Sequence, residues 1–128
     1  GCINHWVDGW IDWNMVLDKQ GGPNWFKNWC VAPVIVDVEK DEVYYTPLYY
    51  VMSHFSKFIQ PNAYRIGCSN FNNNLQVTAV ENPDNSIVVI ILNKEKNKQT
   101  VQIELNGFSK AIEIDEESLQ TIHFNLKQ

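Results

Sequence analysis

The sequence predicts an α+β chain that is mostly β: a small antiparallel sheet, one amphipathic helix, and a C-terminal antiparallel β-sandwich. Three observations carry this. Thr46-Pro47 opens a stretch with apolar residues at helical spacing. From Leu75 onward, β-branched runs are separated by turn residues at sandwich-like intervals. All five tryptophans of the 128 residues fall between Trp6 and Trp29, around Gly21-Gly22-Pro23, which marks the first part as aromatic-rich and irregular.

Taken in order, Trp6-Val7-Asp8-Gly9-Trp10-Ile11-Asp12-Trp13 is strand-like in composition. Gly21-Gly22-Pro23 predicts a tight reversal, because glycine tolerates positive φ and proline presets its own φ. Val34 to Val38 and Glu42 to Tyr45 read as two strands around the turn Glu39-Lys40-Asp41. A helix is predicted from Pro47 to Ile59. Thr46 is placed to cap it, and proline fits the first helical position, where its missing N–H costs nothing. Leu48, Val51, Met52, Phe55, Phe58 and Ile59 form its apolar stripe, and Pro61-Asn62 ends it. Leu75 to Val80 alternates. Asn82-Pro83-Asp84-Asn85 is a turn. Ser86 to Leu92 is a continuous apolar run, as for a strand buried on both faces. Val101, Ile103 and Leu105 alternate with polar residues, and Asn106-Gly107 is a strong hairpin signal. Ala111 to Ile114 and Ile122 to Leu126 complete the sandwich.

A net charge of −5 with scattered basic residues excludes a nucleic-acid partner from the readings pursued. Cys2, Cys30 and Cys68 are widely spaced, and His5, His54 and His123 lie far apart, so neither a metal site nor any other cofactor is expected. No apolar run is long enough to span a bilayer as a helix. Residue 1 is glycine, and the opening residues read as the middle of a longer protein.

Asp8 and Asp12 invite a paired-carboxylate reading. On a strand they would share a face roughly 13 Å apart at ~3.3 Å per residue. Glycoside hydrolysis needs carboxyls about 5–5.5 Å apart for retention or about 6.5–9.5 Å for inversion. No GxSxG, GxxxxGK[ST] or HExxH motif is present. The chain therefore lacks a complete catalytic set, and no catalytic residue is assigned to it. The tryptophans read either as core or as a sugar-binding wall. Indole faces offer flat apolar area to the C–H face of a sugar ring, while neighbouring Asn and Asp bond its hydroxyls.

Gly9-Trp10-Ile11-Asp12-Trp13-Asn14, Gly21-Gly22-Pro23-Asn24-Trp25, Pro33-Val34-Ile35-Val36-Asp37 and His54-Phe55-Ser56-Lys57-Phe58-Ile59 follow one another in a fixed order. Together they resemble the C-terminal part of glycoside hydrolase family 30, the family of the glucosylceramidases. The resemblance spans essentially the whole chain and is strongest to about Gly67. It implies a (β/α)8 barrel with an attached β-sandwich, cleaving glucosylceramide to glucose and ceramide with retention. It implies that residues 1–14 are the last barrel strand, 15–46 a small accessory antiparallel sheet, 47–62 the last barrel helix, and 63–128 the sandwich. By the same resemblance Trp13 matches a tryptophan at the glucose site, Asn28 an asparagine on the loop beside it, and Trp29 an aromatic at the pocket mouth. The family's two catalytic glutamates lie on earlier strands, so this chain alone is expected to be inactive. The chain departs from the pattern at Cys30-Val31-Ala32, where vertebrate-type enzymes have Val-Asp-Ser, and at Ile11, which replaces a threonine. The expected partners are glucosylceramide or a related β-glucoside, the remainder of the barrel, a membrane surface and a saposin-type activator. The expected compartment is the lysosome, by resemblance only.

Two alternatives stay open on the residues themselves: a stand-alone β-sandwich carbohydrate-binding module, and a family relative acting on another β-glycoside. A module closes its hydrophobic faces by itself. A barrel fragment leaves the Trp6–Trp13 stretch and the helix in need of neighbours.

Overall fold

The computed structural model describes residues 1–125. A 3₁₀ turn at Cys2–His5 leads into an irregular stretch. Three short strands follow, β1 (Val16–Asp18), β2 (Val34–Asp37) and β3 (Glu42–Tyr45), and then the helix α1 (Pro47–Ser56). The remaining strands are β4 (Tyr64–Ile66), β5 (Leu75–Glu81), β6 (Ile87–Asn93), β7 (Gln99–Leu105), β8 (Phe108–Ile114) and β9 (Leu119–Phe124). They form a four-stranded antiparallel sheet in the order β4-β5-β6-β9 and the separate hairpin β7-β8.

The apolar run of β6 is buried on both faces, as its unbroken hydrophobicity predicts. Ile87, Val89 and Ile91 join Leu75, Ala79 and Ile114 in one cluster, covered by Val101, Ile103, Leu105 and Ile112 of the hairpin. Val88 and Ile90 point the other way, join Val80, and are covered by Phe55, Phe58 and Ile59 at the end of the helix and just past it. The sheet is thus the middle of three layers, hairpin, sheet and helix. The two-residue Asn106-Gly107 turn has positive φ at both positions (48° and 83°), which suits the right-handed twist of the hairpin it closes.

A buried asparagine sits at each end of β6. The Asn82 amide donates to the Phe58 carbonyl and the Ser86 hydroxyl, each at 3.0 Å, and accepts the Gln60 N–H at 3.0 Å. It thereby ties the exit of the helix to the β5–β6 turn. Asn93 donates to the carbonyls of Asn97 (3.0 Å) and Asp115 (2.8 Å) and accepts the Glu95 N–H (3.0 Å), joining two turns at the opposite end. His54 of the helix meets the Thr121 hydroxyl of β9 at 2.8 Å.

Several expectations are corrected. Residues 6–13 form no strand in this chain, because no described element lies beside them to complete a ladder. The small sheet is mixed: β1, which was not anticipated, runs parallel to β2, while β2 and β3 pair antiparallel. Residues 19–33 are long enough for the return that a parallel pair requires. Thr46 occupies the N-cap position, but its hydroxyl bonds the carbonyls of Ala32 (3.0 Å) and Pro33 (3.1 Å), so it fastens the helix to β2 and leaves the helix N–H groups alone. The helix ends at Ser56, and Val51 of its stripe is exposed. Leu126 lies outside the described residues.

Asn82→Ala removes an acceptor and a donor from partly buried backbone partners, and is expected to lower folding stability by about 1–3 kcal/mol. Urea unfolding checks this, and an unchanged midpoint would mean that the helix exit is held by packing alone. A second expectation concerns acid. The Ser86 hydroxyl, the Ser86 N–H and the Gln60 amide hold the Asp84 carboxyl down at about 2, against an ordinary 3.8. Because the folded value is the lower one, the stability it contributes is complete above about pH 4 and is lost as pH falls through about 2. Asp84→Asn is expected to flatten that acid limb of the stability curve; a limb as steep as in the parent would assign it to other carboxylates.

Candidate functional site

The candidate site is an open cleft of about 260 Å³ between the irregular N-terminal stretch and the loop that follows β1. Trp13 and Asn14 of the stretch line it, facing the loop residues Gly21, Pro23, Asn24, Trp25, Phe26, Asn28 and Cys30. No lining residue carries a charge. The walls offer aromatic faces and three side-chain amides, each with one acceptor oxygen and two N–H donors.

The N-terminal wall is held without a ladder. The Asn4 amide donates to the Val77 carbonyl at 2.8 Å, on the part of β5 that β4 leaves unpaired. The Arg65 guanidinium lies 4.7 Å from the Trp6 ring centroid. These two contacts tie residues 4–6 to the sandwich, and Trp13 follows, 81% exposed. Asp12 accepts the N–H of Trp13 at 2.8 Å, so it orients the tryptophan's backbone. Asp8 and Asp12 are both exposed on an irregular stretch and make no dyad with each other by ion pair or hydrogen bond.

The opposite wall is set by close backbone approach. Gly21 has φ +84° and is buried, and a Cβ there would lie 2.3 Å from the Cys30 carbonyl oxygen and 2.8 Å from the Cys30 nitrogen. Only glycine admits both the conformation and the contact. The Cys30 N–H donates to the Gly21 carbonyl at 3.1 Å. Farther along the loop, Asn24 accepts the Asn28 N–H at 3.0 Å, curling the segment so that both amides reach the cleft. Just after β1, Lys19 bridges the buried Asp37 (3.0 Å) and Glu39 (3.2 Å). Burial pushes the Asp37 carboxyl up, but the Lys19 ammonium and the Lys40 and Glu39 N–H groups outweigh it, and the carboxyl ends below its ordinary value.

Trp13 and Asn28 therefore meet on one cleft. Trp29 does not line it; its ring lies beside Gly22, with Cζ3 3.2 Å from where a Gly22 Cβ would be. Asn14, Asn24 and Phe26 line the cleft without having been singled out. The signal that could have found Asn24 is its position directly after Gly-Gly-Pro, where an Asx-type bond shapes a loop.

A family model described as the glycosyl hydrolase family 30 TIM-barrel domain matches residues 2–59, and one described as that family's beta sandwich domain matches residues 62–122. The mouse lysosomal acid glucosylceramidase is 43% identical over 89 residues, covering 69% of this chain and 17% of the mouse enzyme. The chain thus spans less than a fifth of that relative's length. A Caenorhabditis elegans relative is 36% identical over 129 aligned residues, covering 94% of this chain and 24% of its own. Among solved structures, SrfJ from Salmonella typhimurium superposes with a TM-score of 0.86 at 26% identity, over 91% of this chain and 26% of that one. An endo-β1,6-glucanase superposes with a TM-score of 0.85 at 25% identity, over 93% and 27%.

Gly21→Ala and Gly107→Ala separate conformation from contact. Both glycines have positive φ (+84° and +83°), but a Cβ at Gly107 meets open space. Gly107→Ala is expected to cost about 1–2 kcal/mol, the left-handed backbone penalty. Gly21→Ala is expected to cost more, because backbone must move as well. Equal losses in paired urea titrations would show that the approach of Cys30 carries no weight.

Proposed function

The chain belongs to glycosyl hydrolase family 30, and from that premise we propose that the complete protein is a retaining β-glucosidase that hydrolyses glucosylceramide to glucose and ceramide. The observation that carries the reading is the cleft at Trp13: aromatic faces and side-chain amides without a charge. A hexose is neutral, has an apolar C–H face and is rimmed by hydroxyls. Such a wall matches both features, one by indole area and the other by amide hydrogen bonds. The glucosylceramide substrate is taken from the mouse relative's name.

In this reading residues 1–14 supply the last barrel strand once its neighbours are present, 15–46 the accessory sheet, 47–62 the last barrel helix, and the rest the sandwich. What supports these bounds is the match of the barrel domain to 2–59 and of the sandwich domain to 62–122. The two carboxylates that retention needs, one protonating the leaving oxygen and one attacking the anomeric carbon, lie on barrel strands outside this chain. Within the chain, Trp13 presents its face to the glucose ring and Asn28 bonds a hydroxyl. Trp29 stiffens the loop that carries Asn28. Lysosomal residence, and lipid turnover at a membrane surface with a saposin-type activator, belong to the same proposal. The stand-alone module is disfavoured because Ile11, Trp13, Met15, Trp25 and Phe26 are all exposed in this chain. A second reading, another β-glycoside as substrate, is favoured by the superposition on an endo-β1,6-glucanase.

Trp13→Phe in the complete enzyme keeps much of the packing and shrinks the platform. It is expected to lower kcat/KM for a β-glucoside at least about tenfold, or ~1.4 kcal/mol of transition-state binding, with little change in unfolding midpoint. Full activity with a clearly lowered midpoint would make Trp13 a packing residue.

A further inference from the structure

Asp18, the last residue of β1, makes more contacts than a strand end requires. One carboxylate oxygen accepts the N–H of Gln20 at 2.8 Å and of Gly22 at 2.9 Å. Its own N–H donates to the Gly22 carbonyl at 2.7 Å, and its carbonyl accepts the Gly21 N–H at 3.0 Å. The second carboxylate oxygen lies 3.3 Å from the place of a Gly22 Cβ, where the Trp29 ring also stands at 3.2 Å. Gly21 in turn holds the Cys30 N–H at 3.1 Å. The span from Gly22 to Cys30 is the cleft's outer wall, and both of its ends are fixed through these few contacts. Asp18 itself is half-buried and does not line the cleft. On its other side it is paired in register with Val36 of β2, so its own position is rigid.

We propose that Asp18 is a positioning residue for the sugar cleft: its carboxylate sets the Gly21-Gly22 turn, and that turn sets the wall presenting Asn24 and Asn28. The proposal rests on the sugar-site reading above for what the wall binds, but not for the wall itself. The required group is an acceptor oxygen two bonds beyond Cβ. Asparagine keeps such an oxygen, alanine loses it, and glutamate carries it one methylene too far. The turn chemistry is the one by which short Asp and Asn side chains bond backbone two residues on.

Two measurements test this. In the complete enzyme, Asp18→Ala is expected to speed amide exchange at Gly22 and also at Cys30, at least about tenfold each, while exchange in β6 is unchanged. Faster exchange at Gly22 with an unaltered Cys30 would make Asp18 a local turn former and overturn the proposal. In the complete enzyme, Asp18→Ala and Asp18→Glu are each expected to raise KM for a β-glucoside about tenfold with kcat within about threefold, and Asp18→Asn to restore KM. A parental KM in Asp18→Glu, or a defect that Asp18→Asn does not correct, also overturns it, even where Asp18→Ala fails to fold. A parent enzyme that turns over no β-glucoside would sink the sugar-site reading instead, and the exchange result at Cys30 would still decide whether Asp18 sets the wall.

Discussion

The two-sided burial of β6 is the constraint on which the rest depends. A strand with Ile87, Val89 and Ile91 on one face and Val88 and Ile90 on the other has no face to give to water. Each such side chain contributes about 1.5–3 kcal/mol when fully buried. The hairpin satisfies one face and the helix the other, so the helix is placed by the sheet, not by its own propensity. The helix then carries the constraint further. Thr46 at its start bonds the carbonyls at the foot of β2, and β2 holds β1 in parallel register. The loop that walls the cleft leaves from the end of β1. Sandwich core and cleft wall are therefore connected through ordered backbone.

Much of this was legible because it depends on local pattern. The run from Ser86 to Leu92 announces a doubly covered strand, Asn106-Gly107 a hairpin, and Pro47 a helix start, each through the physics of a few neighbouring residues. What was not legible depends on distant partners. Residues 6–13 have the composition of a strand, but a ladder needs a neighbour, and the described residues bring none beside them. Asn82 and Asn93 look like ordinary turn asparagines. Their role as clamps comes from carbonyls and N–H groups about twenty residues away, at Phe58, Gln60 and Asp115. β1 and β4 are three residues each, too short for periodicity to register.

The cleft shows the same division. The crowding of tryptophans and the Gly-Gly-Pro turn lie around one cleft, and Trp13 and Asn28 both line it. Which aromatic enters the cleft and which stands behind it is not a matter of composition. The Trp29 ring stands 3.2 Å from where a Cβ at position 22 would be, so the bare backbone of Gly22 leaves room for it. The loop is shaped by hydrogen bonds more than by buried apolar area, so its conformation follows from geometry that hydrophobic pattern does not encode.

The tie between the N-terminal stretch and the sandwich has a consequence for behaviour in acid. It consists of an amide-to-carbonyl bond from Asn4 to Val77 and a guanidinium over the Trp6 ring. Neither contact involves a carboxylate. The joint that leads to Trp13 is thus built without a carboxylate ion pair. Acidification that weakens the carboxylate contacts of Asp37 and Asp84 leaves this attachment as it was, and the cleft's inner wall stays anchored where an ion pair would have let go.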